Sequence, residues 1–245
     1  MAGGLLGCRY CCLWESQLLD DAAELLLGAR CAGCGRPGLG PCSTCRVVLR
    51  RTRPVIVELS QPQLVVVSAG SYADHLRRFL IEAKERAALG LLGPLGERLA
   101  VAVVTVLAQP IPHQPVVLIP VPSVSAAVAR RGVNFTGALA RHAAGHLRRA
   151  GVPAIVAAGL GLTRRPRDQA GLDLQARQRN LAGAYRARNV PAGAVVVVDD
   201  IVTTGASLAE AARALGAVGR RPVGAATVAA TPRRSQPPPQ TSSTG

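Results

Sequence analysis

Aromatic residues are scarce in this chain: they make up 2% of its 245 residues, although 49% of the residues are hydrophobic. A core with so few rings must be filled by Ala, Val and Leu, which suits a sheet covered by small-residue helices and argues against a deep aromatic cage. It also leaves few side chains on which nucleic-acid bases can stack. Lysine is missing except at Lys84. Arginine takes its place, as in a GC-rich coding sequence, which accounts for the kind of cation but not for a formal charge of +15. Acidic residues are absent from Arg98 to Arg167, a stretch that holds Arg130, Arg131, Arg141, Arg148, Arg149, Arg164 and Arg165. A long segment of one sign favours an anionic partner, either a phosphorylated metabolite or a nucleic acid.

Long apolar runs are lacking too. None reaches the roughly 18 residues that a membrane-crossing helix needs. Leu5-Leu6-Gly7-Cys8 looks like a lipoprotein box, but no charged n-region and no apolar h-region of roughly 7–15 residues precede it. The expectation is a cytoplasmic protein with no membrane partner. After Cys45 there is no cysteine, while the first 45 residues hold all seven. Thiols stay reduced in the cytoplasm, so this clustering points to metal and not to disulfides.

Composition divides the chain into a Cys-rich module over 1–50, a linker over 51–63, a main domain over 64–230 and a Pro/Ser/Thr-rich tail over 231–245 too polar to fold. In the main domain, β-branched runs predict strands at Leu64–Val67, Val116–Ile119, Ala194–Val198 and Val223–Val228. Helical spacing predicts helices over Asp74–Leu89, Val133–Ala150 and Ser207–Val218, the last stopping at Gly219. Strand alternating with helix predicts an α/β domain with a central parallel sheet flanked by helices.

The most informative string is Val195-Val-Val-Val-Asp-Asp-Ile-Val-Thr-Thr-Gly-Ala-Ser207. Four valines in a row mark a strand buried on both faces. Two carboxylates, Asp199 and Asp200, follow, then a small-residue turn and a helix. Such a turn at the carboxyl edge of a parallel sheet offers backbone N–H groups and the positive end of a helix to an anion. Thr203, Thr204 and Ser207 add hydroxyls, and Gly205-Ala206 keeps the backbone accessible. The carboxylates would repel a phosphate, so they must face sugar hydroxyls or a ligand-bound Mg²⁺. The plain reading, an acidic pair that ends a strand and caps a helix, would suffice for a lone Asp-Asp. The whole string resembles the motif of type I phosphoribosyltransferases that binds 5-phosphoribosyl-1-pyrophosphate (PRPP). That resemblance implies that Asp199 and Asp200 contact the ribose 2′- and 3′-hydroxyls while residues 203–207 hold the 5′-phosphate.

Cys31-Ala-Gly-Cys34 and Cys42-Ser-Thr-Cys45 are two CxxC pairs separated by seven residues. Together they can deliver four thiolates to one Zn²⁺ at about 2.3 Å, a closed and therefore structural site. Four buried thiols without metal fit less well, because short Gly-rich loops have no core of their own. Cys8, Cys11 and Cys12 form a further CxxC that is incidental or weakly metal-binding.

A Cys₄ ribbon ahead of a PRPP motif resembles the ComF family of amidophosphoribosyltransferase-like proteins related to competence factors. Three more segments support the likeness: Tyr72–Arg78 leading to Lys84, Pro120-Val-Pro-Ser123 with Arg130-Arg131-Gly-Val-Asn134, and Asp168-Gln169 through Leu172 to Arg177 and Asn180. Pro122 and Ser123 would then form a stiff pyrophosphate loop. Arg130 and Arg131 would neutralise the leaving group, or simply be a solvated helix start. Lys84 is a charge-neutralising candidate, with a solvated face as its alternative. Residues 163–179 would form a hood that closes over PRPP. Departures from the family pattern occur at Val133, Phe135 and Glu85-Arg86.

The implied activity is Mg²⁺-dependent phosphoribosyl transfer to an unidentified acceptor, linked to DNA uptake. The rival is a non-catalytic factor that binds single-stranded DNA or a DNA-uptake helicase and uses PRPP structurally. A purine or pyrimidine salvage enzyme ranks below both, because no base pocket is evident.

Overall fold

The four valines set the architecture. The computed structural model describes residues 30–38, 40–59, 64–86, 88–107, 114–122, 134–164 and 179–232. Strand β7, Ala194–Val202, lies between β3, Val116–Pro120, and β8, Gly224–Ala230, and is parallel to both. The sheet continues through β2, Val66–Ser68, to the antiparallel edge strand β1, Val55–Val57, and on the other side to β4, Ala154–Val156. Its order is β1-β2-β8-β7-β3-β4.

Side chains alternate across a strand, and here each face has its own core. Val196 and Val198 join Leu118 and Val228 on one face, whereas Val195 and Val197 join Val117 and Ile119 on the other. Neither face of the central strands meets water, as the valine run requires.

The first face is covered by helices α1 Ser43–Arg51, α2 Asp74–Glu85, α3 Leu92–Leu107 and α4 Phe135–Arg149. In α2 the buried residues are Leu76, Phe79, Leu80 and Ala83, the four that its spacing selects. α4 starts at Asn134, whose side chain accepts the Gly137 N–H at 3.0 Å. The second face carries α5, Ala206–Gly216, and an antiparallel pair of strands, β5 Leu160–Leu162 and β6 Tyr185–Ala187. Helix α5 closes as its sequence predicts: Gly219 takes φ +73°, its N–H donates to Gly216, and the Arg220 N–H reaches Leu215.

Helix α3 is not foreshadowed by the sequence reading. Its Val-rich second half reads as strand, and Gly93, Pro94 and Gly96 disguise its start. Residues 89–107 are long and apolar enough to cross a membrane by length and composition. In the fold this stretch is a core element: Leu95, Leu99, Ala102 and Val103 are buried against the sheet and α4. Gly96 marks the closest approach, since a Cβ there would lie 2.4 Å from His142.

The cysteine loop shares the same core. Cys31, Cys45 and Leu49 are buried in one cluster with Phe79 and Leu80. Gly33 sits where a Cβ would meet the Cys45 sulfur at 2.7 Å and the Phe79 ring at 2.9 Å. Arg78 ties the loop down by donating to the Gly33 carbonyl at 3.0 Å.

Candidate active site

The sheet's carboxyl edge gathers most of the predicted residues. β7 runs two residues past the acidic pair, to Val202, so Asp199 and Asp200 lie within the strand and not at its end. The parallel ladder to β8 pairs Asp199 with Thr227 and Ile201 with Ala229. Each carboxylate accepts the next backbone N–H, Asp199 from Asp200 at 2.8 Å and Asp200 from Ile201 at 2.9 Å. These short-range bonds fix both side chains before any ligand arrives.

Lys84, from the end of α2, forms an ion pair with Asp200 Oδ2. The sequence singled out this lysine by its rarity, and the fold brings it across 116 positions to the acidic pair. Asp200 is buried, and Lys84 offsets the cost of holding its charge there. Asp199 is less well served. Burial first, and then the neighbouring Asp200 charge, push its carboxyl well above the usual carboxylate range, while the Asp200 N–H and Lys84 pull the other way.

After Val202 the chain turns through 203–205 into α5. Thr203 is exposed, Thr204 and Ser207 are half-buried, and Gly205 and Ala206 are buried. Gly205 takes φ +80°, a left-handed conformation that favours glycine. The Thr204 hydroxyl accepts the Ala206 N–H at 3.3 Å. The remaining first-turn N–H groups of α5 face the turn together with the positive helix end. Hydroxyls on the open side and glycine beneath them make a cradle for a phosphate-sized anion.

At the end of β3, Pro120 pairs with Val198, and the Val121 N–H donates to the Val198 carbonyl at 2.9 Å. Pro122 therefore leaves the sheet beside the acidic pair. Ser123, Arg130 and Arg131 lie outside the described residues, as do Asp168, Gln169, Leu172 and Arg177. Of the expected hood, Thr163, Arg164 and Arg179 are described: Arg164 donates to the carbonyls of Asn180 and Ala182 at 2.8 and 3.0 Å.

Two neighbours of the cradle were missed by sequence reasoning. Tyr185, on β6, is buried, and its phenol is pushed up to about 12 by burial, with a hydrogen bond to Ser207 opposing and Asp199 and Glu210 adding to the rise. Its backbone N–H donates to Glu210, which also holds Arg213 at 2.7 Å. Leu59 rests against Gly205, where a Cβ would meet it at 2.3 Å. Neither residue carries a local signal, since both reach the cradle through tertiary packing.

The four cysteines of the ribbon also come together. All four sulfurs lie within 4.8 Å of one another, and those of Cys34 and Cys42 are 3.7 Å apart. Four ligands about 2.3 Å from one tetrahedral Zn²⁺ have edges of about 3.8 Å, so the set fits zinc. The Cys42 N–H donates to the Cys31 sulfur at 3.3 Å. Burial pushes the Cys31 thiol up, but N–H donors from Cys42, Cys34 and Gly33 outweigh it and bring the thiol to about 7, where it is readily held as thiolate. Cys8, Cys11 and Cys12 lie outside the described residues.

Against known proteins, a family model described as a phosphoribosyl transferase domain matches residues 105–243, more than half of the chain. No curated protein matches. Among solved structures, the chain is similar to a mutant hypoxanthine phosphoribosyltransferase from Trypanosoma cruzi in a ternary substrates complex, with 20% identity over 56% of this chain and 65% of that one, and a TM-score of 0.31. The hypoxanthine-guanine enzyme of L. donovani shows 19% identity over 57% and 70%, with a TM-score of 0.32. Orotate phosphoribosyltransferase from Aeropyrum pernix shows 20% identity over 76% and 81%, with a TM-score of 0.31. The chain thus spans just under two thirds of the Trypanosoma cruzi enzyme's length.

Proposed function

We propose, for a chain that belongs to the phosphoribosyl transferase domain family, that residues 199–207 bind PRPP and that the protein transfers its phosphoribosyl group to an acceptor in the cytoplasm. One observation carries the reading: an acidic pair held by its own backbone and by Lys84 stands one turn away from a hydroxyl-lined helix start. Sugar hydroxyls suit the first, a 5′-phosphate the second.

In this reading Asp199 and Asp200 accept from the ribose 2′- and 3′-hydroxyls, and Thr203, Thr204, Ser207 and the backbone of Gly205 and Ala206 hold the phosphate. Bonds to an ionised acceptor are the strong class of hydrogen bond. They clamp the ribose so that C1 faces the acceptor, and orientation supplies much of the rate. Charge neutralisation of the pyrophosphate would be supplied by Mg²⁺ arriving with PRPP. Pro122 and Ser123 line the departing pyrophosphate's path, and Lys84, Arg130 and Arg131 stabilise its growing charge. The acceptor's lone pair attacks C1 as the C1–O bond to pyrophosphate breaks, through an oxocarbenium-like state, and no protein nucleophile takes part. Cys31, Cys34, Cys42 and Cys45 would hold a structural Zn²⁺ that takes no part in the transfer.

The finer assignment is to the ComF type, supported by a Cys₄ ribbon ahead of the PRPP motif and by Lys84 standing at Asp200. The rival, a competence factor that binds single-stranded DNA or a helicase and keeps PRPP as a structural ligand, draws on the +15 charge. Pyrophosphate release separates the two. Offered PRPP, Mg²⁺ and a panel of amines and nucleobases, the protein is expected to release pyrophosphate with at least one of them. Tight PRPP binding without release across the panel would favour the rival.

A further inference from the structure

A cavity of about 280 Å³ opens where α1, α3 and α4 meet. None of its lining residues belongs to the PRPP constellation. Arg46 and Arg50 of α1, Arg98 of α3, and His142, His146 and Arg149 of α4 line it, with Glu97 as its one acid. Four arginines around one carboxylate, with two histidines beside them, is an arrangement that repels itself unless an anion joins it.

The way these cations are held sharpens the point. Arg98 is 4% exposed, yet its Nη atoms donate only to the backbone carbonyls of Arg50, Thr52 and Ala69, and its Nε has no acceptor among the described residues. Buried guanidinium groups are ordinarily paired with carboxylates. Arg46 and Arg149 likewise donate to carbonyls, of Pro41 at 2.9 Å and Gly145 at 3.1 Å, and His146 contacts the Gly93 carbonyl at 3.1 Å. His142 is held below its ordinary pKa by burial and then by the charges of His146, Arg141 and Arg149. The only acid answers Arg50, at 3.0 Å, in a pair whose side chains are 66% and 32% exposed. Such a surface pair is weak and displaceable.

We propose that this cavity is a second anion site, which binds a small polyanion of the phosphate class between the ribbon's helix and α4. Arg50, Arg149 and the two histidines would offer polar contacts to its oxygens, and Arg98 would supply charge from the core. Concavity and the lack of any aromatic lining favour a free phosphate-type anion over a nucleic-acid strand, whose bases need a stacking surface. Because Arg46 and Arg50 follow Cys45 on α1, occupancy would tie the metal loop to the helices that cover the sheet.

The test uses the zinc-loaded full chain and inorganic pyrophosphate without Mg²⁺, read through the ring NMR signals of its four histidines. His142 and His146 are expected to move together and to saturate, while His75 stays still. Arg149→Glu, which replaces attraction by repulsion, should weaken the affinity about tenfold or more. Glu97→Gln, which removes the competing carboxylate, should tighten it about threefold. If Arg149→Glu does not fold, the sign of the Glu97→Gln change decides. Shifts that fail to saturate, a Glu97→Gln protein that binds no tighter, or a single-stranded oligonucleotide that moves these signals where pyrophosphate does not would each overturn the assignment.

Discussion

Asp199→Asn is expected to make the protein more stable at pH 7–8 and at the same time to bind PRPP about 10- to 150-fold more weakly. The two effects share one cause. Burial and the Asp200 charge raise the Asp199 carboxyl in the folded chain above its value in the unfolded one. A carboxyl raised by folding binds its proton more tightly in the native state. Its contribution to stability is therefore most favourable below the unfolded pKa near 4, and is lost as pH rises from there through the folded pKa. Above the folded pKa the native protein carries the full penalty. Asparagine has nearly the same shape and no charge, so it removes the penalty and keeps an oxygen for the Asp200 N–H. A gain of 1 kcal/mol raises Tm by about 2–4 °C in a domain of this size. The cost falls on binding: a charged acceptor for a ribose hydroxyl becomes a neutral one, worth about 1.5–3 kcal/mol when lost, or roughly 10- to 150-fold in affinity. Differential scanning calorimetry at pH 5 and pH 8 checks the first half, since the variant's advantage should be larger at pH 8. A variant less stable than the parent at pH 8 would contradict it.

Removing the candidate zinc ligand Cys45 should act on the whole domain and not on a detachable finger. Cys45 is 2% exposed and lies in one buried cluster with Phe79, Leu80 and the sheet valines. Zinc binding in finger peptides contributes about 10–16 kcal/mol, as much as a typical domain's entire stability of about 5–15 kcal/mol. Cys45→Ser is expected to lower zinc content from one equivalent to none. If even about 5 kcal/mol of that coupling is lost, Tm falls by roughly 10–20 °C. A single transition shifted as a unit, seen alike by far-UV circular dichroism and by calorimetry, is the expected signature. A melt in which the main transition stays put while zinc is lost would show the loop to be energetically separate.

The central strand, its turn and α5 were legible because they are local. The valine run announced a strand buried on both faces, Gly205 and the hydroxyl residues announced the turn, and Gly219 announced the stop. The cysteine loop was legible for the same reason, through spacing alone. Boundaries moved by up to four residues, most at the end of β7, whose ladder to β8 carries it past the acidic pair to Val202, and at the end of α2, which stops at Glu85. What stayed hidden depends on residues far apart in sequence. Helix α3 is apolar on most of its surface because it is wrapped by sheet and helices, and its valines mimic a strand. The β5–β6 pair consists of two three-residue strands, too short for a period of two to register. Lys84 was visible as a singular residue, but its partner was not. Tyr185 and Leu59 approach Ser207 and Gly205 only once the second face has packed.

Isothermal titration of the zinc-loaded protein with PRPP in Mg²⁺ tests the central claim most directly. The account predicts one saturable site in the parent chain and no detectable heat in a protein carrying Asp199→Ala and Asp200→Ala. Absence of binding to the parent, or equal binding to the double variant, would contradict it.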